Sequence, residues 1–490
     1  MSRDPDQAGL DGWVNALLNG SLAGSDVANG FIFSEEFINR YTTNEDFITI
    51  LYRAFFDREP DDAGYSGWLN YLYDGNTRSE ALNGFVSSQE FNNLCDRYGI
   101  TPTSGSSSES DSCGNAIGNG NEIVFGQVTP TEWNPDNPFR SLAVHPNNPD
   151  IVIIGTEANG FVKSIDGGQT WSRFRYGLRH GEASGEQLYP EVYDLAFSES
   201  NPDIIYATTT GGPGPLAGPD GGNGGIYKST DGGMTWKRKN CGLDNEWIHS
   251  VYISPDNPDL AVIGISGGEA SGSWGSIQAG DYFDGGIFRT IDGGENWTRV
   301  NLTANDNKNK FQYIRSQRNA PSVLYTFGFN WEDTSPNIGF YKSTDAGKTW
   351  DSFATVLRDR NITYFDISDN GEVIYAVDEM KILKSTDSGG TWSEYDLHSS
   401  GYVVSVFPGD SEKLLFSKVD GVYLSEDGLL TEIKVIDVKG RHPSDIAIAP
   451  SDSNIVYAID VGYDVYKSVD GGRTFAKLVN LREDVLEVIP

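Results

Sequence analysis

The chain is poor in positive charge, sulfur and histidine. Its 490 residues include 36 Lys and Arg against 70 Asp and Glu, three Cys, three Met and five His, for a net charge of −34. An acid excess of this size repels phosphate backbones and anionic lipid surfaces, which argues against nucleic acid and membrane as partners. No run of 18 apolar residues occurs, the longest being short stretches such as Ile151 to Ile154, so no membrane-spanning helix is expected. Cys95, Cys113 and Cys241 are too few and too scattered for a disulfide framework or a CxxC zinc site. They allow at most one bridge, with Cys95 and Cys113 the nearer pair. The histidines, His145, His180, His249, His398 and His442, lie one per segment, and HExxH, GxSxG and phosphate-cradling glycine loops are all missing.

Glycine is abundant, at 57 residues, while helix formers are not in excess, which excludes a helical bundle for the whole chain and favours many short strands joined by turns. The first hundred residues differ. Arg3-Asp4-Pro5-Asp6 through Gly12-Trp13 returns as Arg58-Glu59-Pro60-Asp61 through Gly67-Trp68, and each copy is followed by Gly-Phe (Gly30-Phe31, Gly84-Phe85) and a Ser-x-Glu-Phe segment ending at Phe37 or Phe91. Apolar spacing over Phe47 to Phe56 and Trp68 to Leu72 predicts amphipathic helices capped by Asp and Ser. Residues 1–100 are thus expected to form a small all-α domain. Residues 101–121, nearly all Ser, Gly, Asp, Glu, Asn and Thr, read as a linker.

From Phe139 onward a motif SxDxGxTW recurs: Ser164 to Trp171, Ser229 to Trp236, Thr290 to Trp297, Ser343 to Trp350, Ser385 to Trp392 and Ser468 to Phe475, with a degenerate copy from Ser425. Its aspartates are Asp166, Asp231, Asp292, Asp345, Asp387, Asp427 and Asp470. Periods of about 40 to 65 residues, each with four short strand patterns, predict a mainly β chain forming a seven-bladed β-propeller over residues 122–490. Inner strands are expected at Arg140 to Val144, Val192 to Phe197, Ile248 to Ile253, Ile362 to Ile367, Val403 to Phe407 and Asp445 to Ile448. The Asp, Gly, Ser and Thr of the motif have the chemistry of a tight turn, so its seven aspartates are read as structural. Val485 to Pro490 resembles the start of a further inner strand, and Met1 to Asp6 the middle of a module, so the chain is expected to begin and end inside longer units.

The N-terminal repeat resembles the DUF4214 module of secreted bacterial proteins, its first copy lacking a leading helix. The later motif resembles the Asp box, or BNR repeat, of a propeller superfamily that includes sortilin-type receptors, glycoside hydrolase family 74 and sialidases. These resemblances imply an exported or surface location on a bacterium and a polysaccharide or protein partner.

In such a propeller the D-to-A and B-to-C loops share one face, and the long insertions 176–191, 211–224, 267–286 and 328–339 fall there, a functional hint. The ligand-binding candidates on them are Arg179, His180, Tyr189, Trp247, Trp274, Tyr282 and Trp331. Acids near the same face include Glu157, Asp281, Asp378, Glu379, Asp420 and Asp460. The leading expectation is recognition of a glycan or protein without turnover. The alternative is a family 74-like endoglucanase or xyloglucanase, for which Glu157 and Asp281 are the candidate acids, since paired carboxylates are what glycoside hydrolysis needs. A sialidase is a lesser alternative: Arg140, Arg179 and Arg315 are present, but Phe139-Arg140-Ser141-Leu142 departs from the family's Phe-Arg-Ile-Pro. No cofactor is expected, although Asn305-Asp306-Asn307 offers oxygen ligands suited to calcium.

Overall fold

The computed structural model describes Trp13, Val14, Leu17 and residues 23–100 and 139–481, except 33–36, 38–42, 57, 74–77, 87, 99, 157–159, 175–176, 179–180, 184–185, 211–223, 244, 270–281, 284, 303–308, 331–338, 359 and 439–440. Two compact units emerge, one from the N-terminal hundred residues and one from the remainder.

The N-terminal unit contains helices Gly24–Ile32, Asn44–Phe56, Asp62–Tyr73, Arg78–Val86 and Gln89–Tyr98. Thr43 Oγ1 accepts the N–H of Asp46 at 3.1 Å and Ser88 Oγ that of Phe91 at 3.1 Å, which are the side-chain caps that start two of these helices. Phe47, Ile48, Leu51 and Phe85 are buried between them. The conserved spacing of the internal repeat has a packing reason. A Cβ on Gly84 would stand 2.2 Å from the Trp68 ring, and one on Gly30 2.8 Å from Trp13, so each repeat's tryptophan lies against the bare backbone of its Gly-Phe pair.

The second unit holds seven four-stranded antiparallel sheets, the seven blades of a propeller. Their innermost strands are Phe139–Val144, Glu191–Phe197, Ile248–Ser254, Asn309–Gln317, Ile362–Ile367, Gly401–Phe407 and Pro443–Ile448 for blades 1 to 7. Second strands such as Val152–Thr156 and Ile205–Thr210 are buried along their whole length, because both sheet faces are covered by neighbouring blades. The inner strand of blade 4, Asn-Lys-Phe-Gln-Tyr-Ile-Arg-Ser-Gln, lacks the apolar alternation of the others.

The seven repeated aspartates sit in the turn between third and fourth strands. In blade 2, Asp231 accepts hydrogen bonds from the N–H of Thr235 at 2.9 Å, from Thr235 Oγ1 at 2.6 Å and from Ser229 Oγ at 2.7 Å. The N–H of Gly233 donates to Ser229 Oγ at 2.8 Å. The residue after each box aspartate donates its N–H to the turn joining the first two strands, as in Gly232 to Asp203, Gly167 to Asp150 and Ala346 to Ser322, which places both turns on one face. Hydrogen bonds from Thr474 hold the Asp470 carboxyl at about 2. Asp231→Ala is expected to lower stability by about 1–3 kcal/mol by leaving turn N–H groups unsatisfied, measurable by urea denaturation, with ligand binding retained.

Two further parts of the motif join one blade to the next. Each box tryptophan packs on the preceding blade: Trp236 stacks on Phe161 with centroids 4.2 Å apart, and Trp171 of blade 1 belongs to the same core cluster as Tyr457 and Val465 of blade 7. The cation just before the box Ser reaches the following blade's box: Lys163 Nζ donates to Gly232 O, Lys228 Nζ to Gly293 O and Arg289 Nε to Ala346 O, each at 2.9 Å. Lys467 closes the ring in the same way, reaching Gly167 O at 3.3 Å and Asp150 at 3.0 Å across the boundary between blades 7 and 1. Substituting Lys467 by Met is expected to lower the melting temperature more than the same change at exposed Lys477, because Lys467 is one of the side chains that join blade 7 to blade 1.

Candidate functional site

The loop face has the expected asymmetry. Blades 5, 6 and 7 connect second to third strands by tight turns, such as Asp378 to Lys381, whereas blade 3 carries an extra ribbon, Gly268–Glu269 with Tyr282–Phe283. The connection from blade 1 to blade 2 carries another, Gly181–Ala183 with Glu186–Leu188. Arg179, His180, Trp274, Trp331, Glu157 and Asp281 lie outside the described residues, as does Asn305 to Asn307, and Tyr282 is described only in its backbone. Trp247 is half-buried where blade 3 begins, its N–H held by Asn245 Oδ1 at 2.8 Å. Tyr189 is a correction: it is fully buried in a core cluster with Phe161, Leu178 and Trp236, so its ring has no face for a ligand.

Four acids of this face are engaged. Asp378 pairs with Arg360 at 3.0 Å, Glu379 accepts from Asn361 Nδ2 at 3.1 Å, and Asp420 binds Lys434 at 2.6 Å. Asp460 accepts the N–H groups of Gly462 at 2.7 Å and Asp464 at 3.0 Å. Among the described residues no group of three His, Cys, Asp or Glu is placed to hold a metal ion. The single bridge that the sequence allowed is not the nearer pair: Cys241 is disulfide-bonded and Cys95 is a buried thiol.

What sequence reasoning missed lies on the propeller axis. Each inner strand has a register break, as between Phe139 and Ser141, Val192 and Asp194, or Pro443 and Asp445. A bulge of this kind turns one extra side chain away from the ladder. The bulged positions include Arg140, Tyr193, Tyr313, Thr363, Tyr402 and Ser444, and all six line one axial cavity of about 810 Å³. Tyr313 has φ of 55°, a left-handed conformation costly for a bulky residue.

Arg315 lines this cavity together with Asp194, Asp366 and Asp445. Each aspartate binds the next blade's inner strand: Asp194 accepts from Val251 N at 3.1 Å, Asp366 from Val406 N at 2.8 Å and Asp445 from Leu142 N at 2.9 Å. The guanidinium donates to the Tyr364 hydroxyl at 2.9 Å, lies 3.9 Å from Asp366, and has the Tyr313 and Tyr364 rings within 5.4 Å. Burial raises the Asp445 carboxyl to about 7 and pushes Asp194 upward in spite of the Arg315 charge. Arg140 pairs with Glu191 at 2.8 Å. Two of the three arginines weighed for a sialidase, Arg140 and Arg315, therefore line one cavity, each beside a carboxylate. The signal that could have marked this cluster was polarity itself, in Tyr-Asp, Tyr-Ile-Arg and Ser-Asp at positions where an inner strand should be apolar.

Comparison with known proteins agrees with this architecture. Residues 1–41 and 28–95 match the domain of unknown function DUF4214, and residues 224–355 match the model described as sortilin, neurotensin receptor 3. The xyloglucanase Xgh74A of Acetivibrio thermocellus is 25% identical over 241 residues, covering 46% of this chain and 26% of the relative. A probable oligoxyloglucan-reducing end-specific xyloglucanase of Neosartorya fischeri is 27% identical over 303 residues, covering 54% of this chain and 34% of the relative. The chain thus spans about a quarter to a third of the length of these relatives. Among solved structures, an ancestral GH74 enzyme superposes with a TM-score of 0.52 at 16% identity, over 73% of this chain and 48% of that one. The chain thus carries a seven-bladed β-propeller that is similar in part to the sortilin model and to GH74 xyloglucanases, after an N-terminal segment that matches DUF4214.

Proposed function

We propose that the propeller acts on a neutral β-glucan of the xyloglucan kind as a glycoside hydrolase, through the loop face of its first four blades. The observation that carries this reading is the similarity to xyloglucanases of a bacterium and a fungus over about half of the chain. It ranks hydrolysis above recognition alone. Trp247, Trp274, Tyr282 and Trp331 supply flat faces for sugar rings, Arg179 and His180 supply donors, and Glu157 and Asp281 are the acid pair. The net charge of −34 fits a neutral polymer better than an anionic one. A disulfide at Cys241 supports export to an oxidising compartment.

The second reading, binding without turnover, is favoured by one observation: Asp378, Glu379, Asp420 and Asp460 are all committed to ion pairs or backbone donors. Native gels cast with xyloglucan or with an anionic polysaccharide, run alongside a reducing-end assay, separate the two. Retardation by xyloglucan together with new reducing ends supports the hydrolase. Retardation without new ends supports recognition alone, and neither response rejects both.

A further inference from the structure

We propose that the axial cavity is a second, separate carbohydrate site that takes one or two sugar units of a neutral oligosaccharide. The proposal rests on the carbohydrate reading above and adds a site to it. Three observations carry it. The volume, about 810 Å³, lies within the range of about 300–1,000 Å³ typical of small-molecule sites. The bulges aim side chains into this space from six blades, and those side chains are hydroxyl-bearing or cationic, where a purely structural axis would be filled with apolar groups. One of them, Tyr313, is held in a strained backbone conformation to do so.

Charge narrows the ligand class. Arg140, Arg315 and Arg318 face Asp194, Asp366, Asp445 and Glu379 in the same lining, so neither an anion nor a cation gains from entering. A neutral ligand whose hydroxyls both donate and accept matches this mixture. Aromatic surface is present as well: Tyr402 stacks on His442 with centroids 4.1 Å apart and planes 11° from parallel, and Tyr313 lies 4.3 Å from Tyr364. Tyr402 and His442 are half-buried and belong to adjacent blades, 6 and 7. A ring pair beside fixed polar groups is the arrangement that binds the flat apolar face of a sugar while satisfying its rim.

The test uses the whole chain and cello-oligosaccharides of two to six units, titrated by calorimetry. Tyr402→Ala is expected to weaken binding of the shortest ligands about tenfold, while retardation by long xyloglucan stays within about twofold. Trp247→Ala is expected to do the reverse. In the unmodified protein, saturating cellobiose is expected to protect Tyr402 and His442 from hydroxyl-radical modification, a measurement that needs no variant. Binding of short oligosaccharides that ignores Tyr402→Ala, or an absence of protection at both residues, overturns the axial site even where xyloglucan is bound or cut. If no saccharide of any length interacts, the carbohydrate reading itself falls, and the axial site with it.

Discussion

Arg315→Met is expected to lower the stability of the propeller by about 3–5 kcal/mol, the largest loss of any single substitution on the axis. The methionine keeps most of the volume but removes the cation that Asp194, Asp366 and Asp445 surround. Those carboxylates cannot move to water, because each holds the N–H of a neighbouring inner strand in blades 3, 6 and 1. Protonation is then the means of relief for Asp194 and Asp445, whose carboxyls burial already raises, so the loss should depend on pH. The Asp445 carboxyl stands at about 7 in the folded chain and at the ordinary low value when unfolded. The folded state therefore binds the extra proton, and the associated stability is present below about pH 4 and lost as pH rises through about 7. Arg315→Met should accentuate this trend, with a deficit against wild type smaller at pH 5 than at pH 8. Thermal unfolding followed by circular dichroism at the two pH values measures it. A variant that melts with wild type at pH 8 would show that the axial charges do not hold the blades together.

Glu157→Gln and Asp281→Asn are each expected to reduce sugar release from xyloglucan by about a hundredfold or more, while melting temperature and gel retardation stay near wild type. Hydrolysis of a glycosidic bond needs one carboxyl that gives a proton and one that acts as base or nucleophile, and an amide of the same shape does neither. In the sequence Glu157 directly follows the second strand of blade 1, Val152–Thr156, and Asp281 directly precedes the ribbon strand Tyr282–Phe283 of blade 3. The measurement is a reducing-end time course at equal protein concentration, with a native gel as control for retained binding. Release that persists in both variants would move the chemistry to other acids of the chain.

The fold was legible because its signal is local. A box such as Ser229 to Trp236 closes its own turn, since Asp231 bonds residues two and four positions away. Blade 4 was harder: its inner strand, Asn309–Gln317, carries Lys310, Gln312, Tyr313 and Arg315, whose polarity obscures the strand pattern. The axial cluster was not legible for the same reason at longer range. Asp194, Arg315, Asp366 and Asp445 come from four different blades, and only ring closure brings them to one cavity. Tyr189 misled because an aromatic in a long connection suggests a ligand platform, whereas this one fills the gap between blades 1 and 2. The cation that precedes six of the seven boxes was visible in the sequence and went unread, although Lys163, Lys228 and Lys467 join successive blades.

Cleavage of a neutral β-glucan is the activity proposed for this propeller. Its most direct test is mass analysis of the soluble products after xyloglucan is incubated with the whole chain. The account predicts a rising series of xyloglucan oligosaccharides whose yield scales with protein concentration. A reaction that stays free of oligosaccharides at high protein concentration and long times would contradict it.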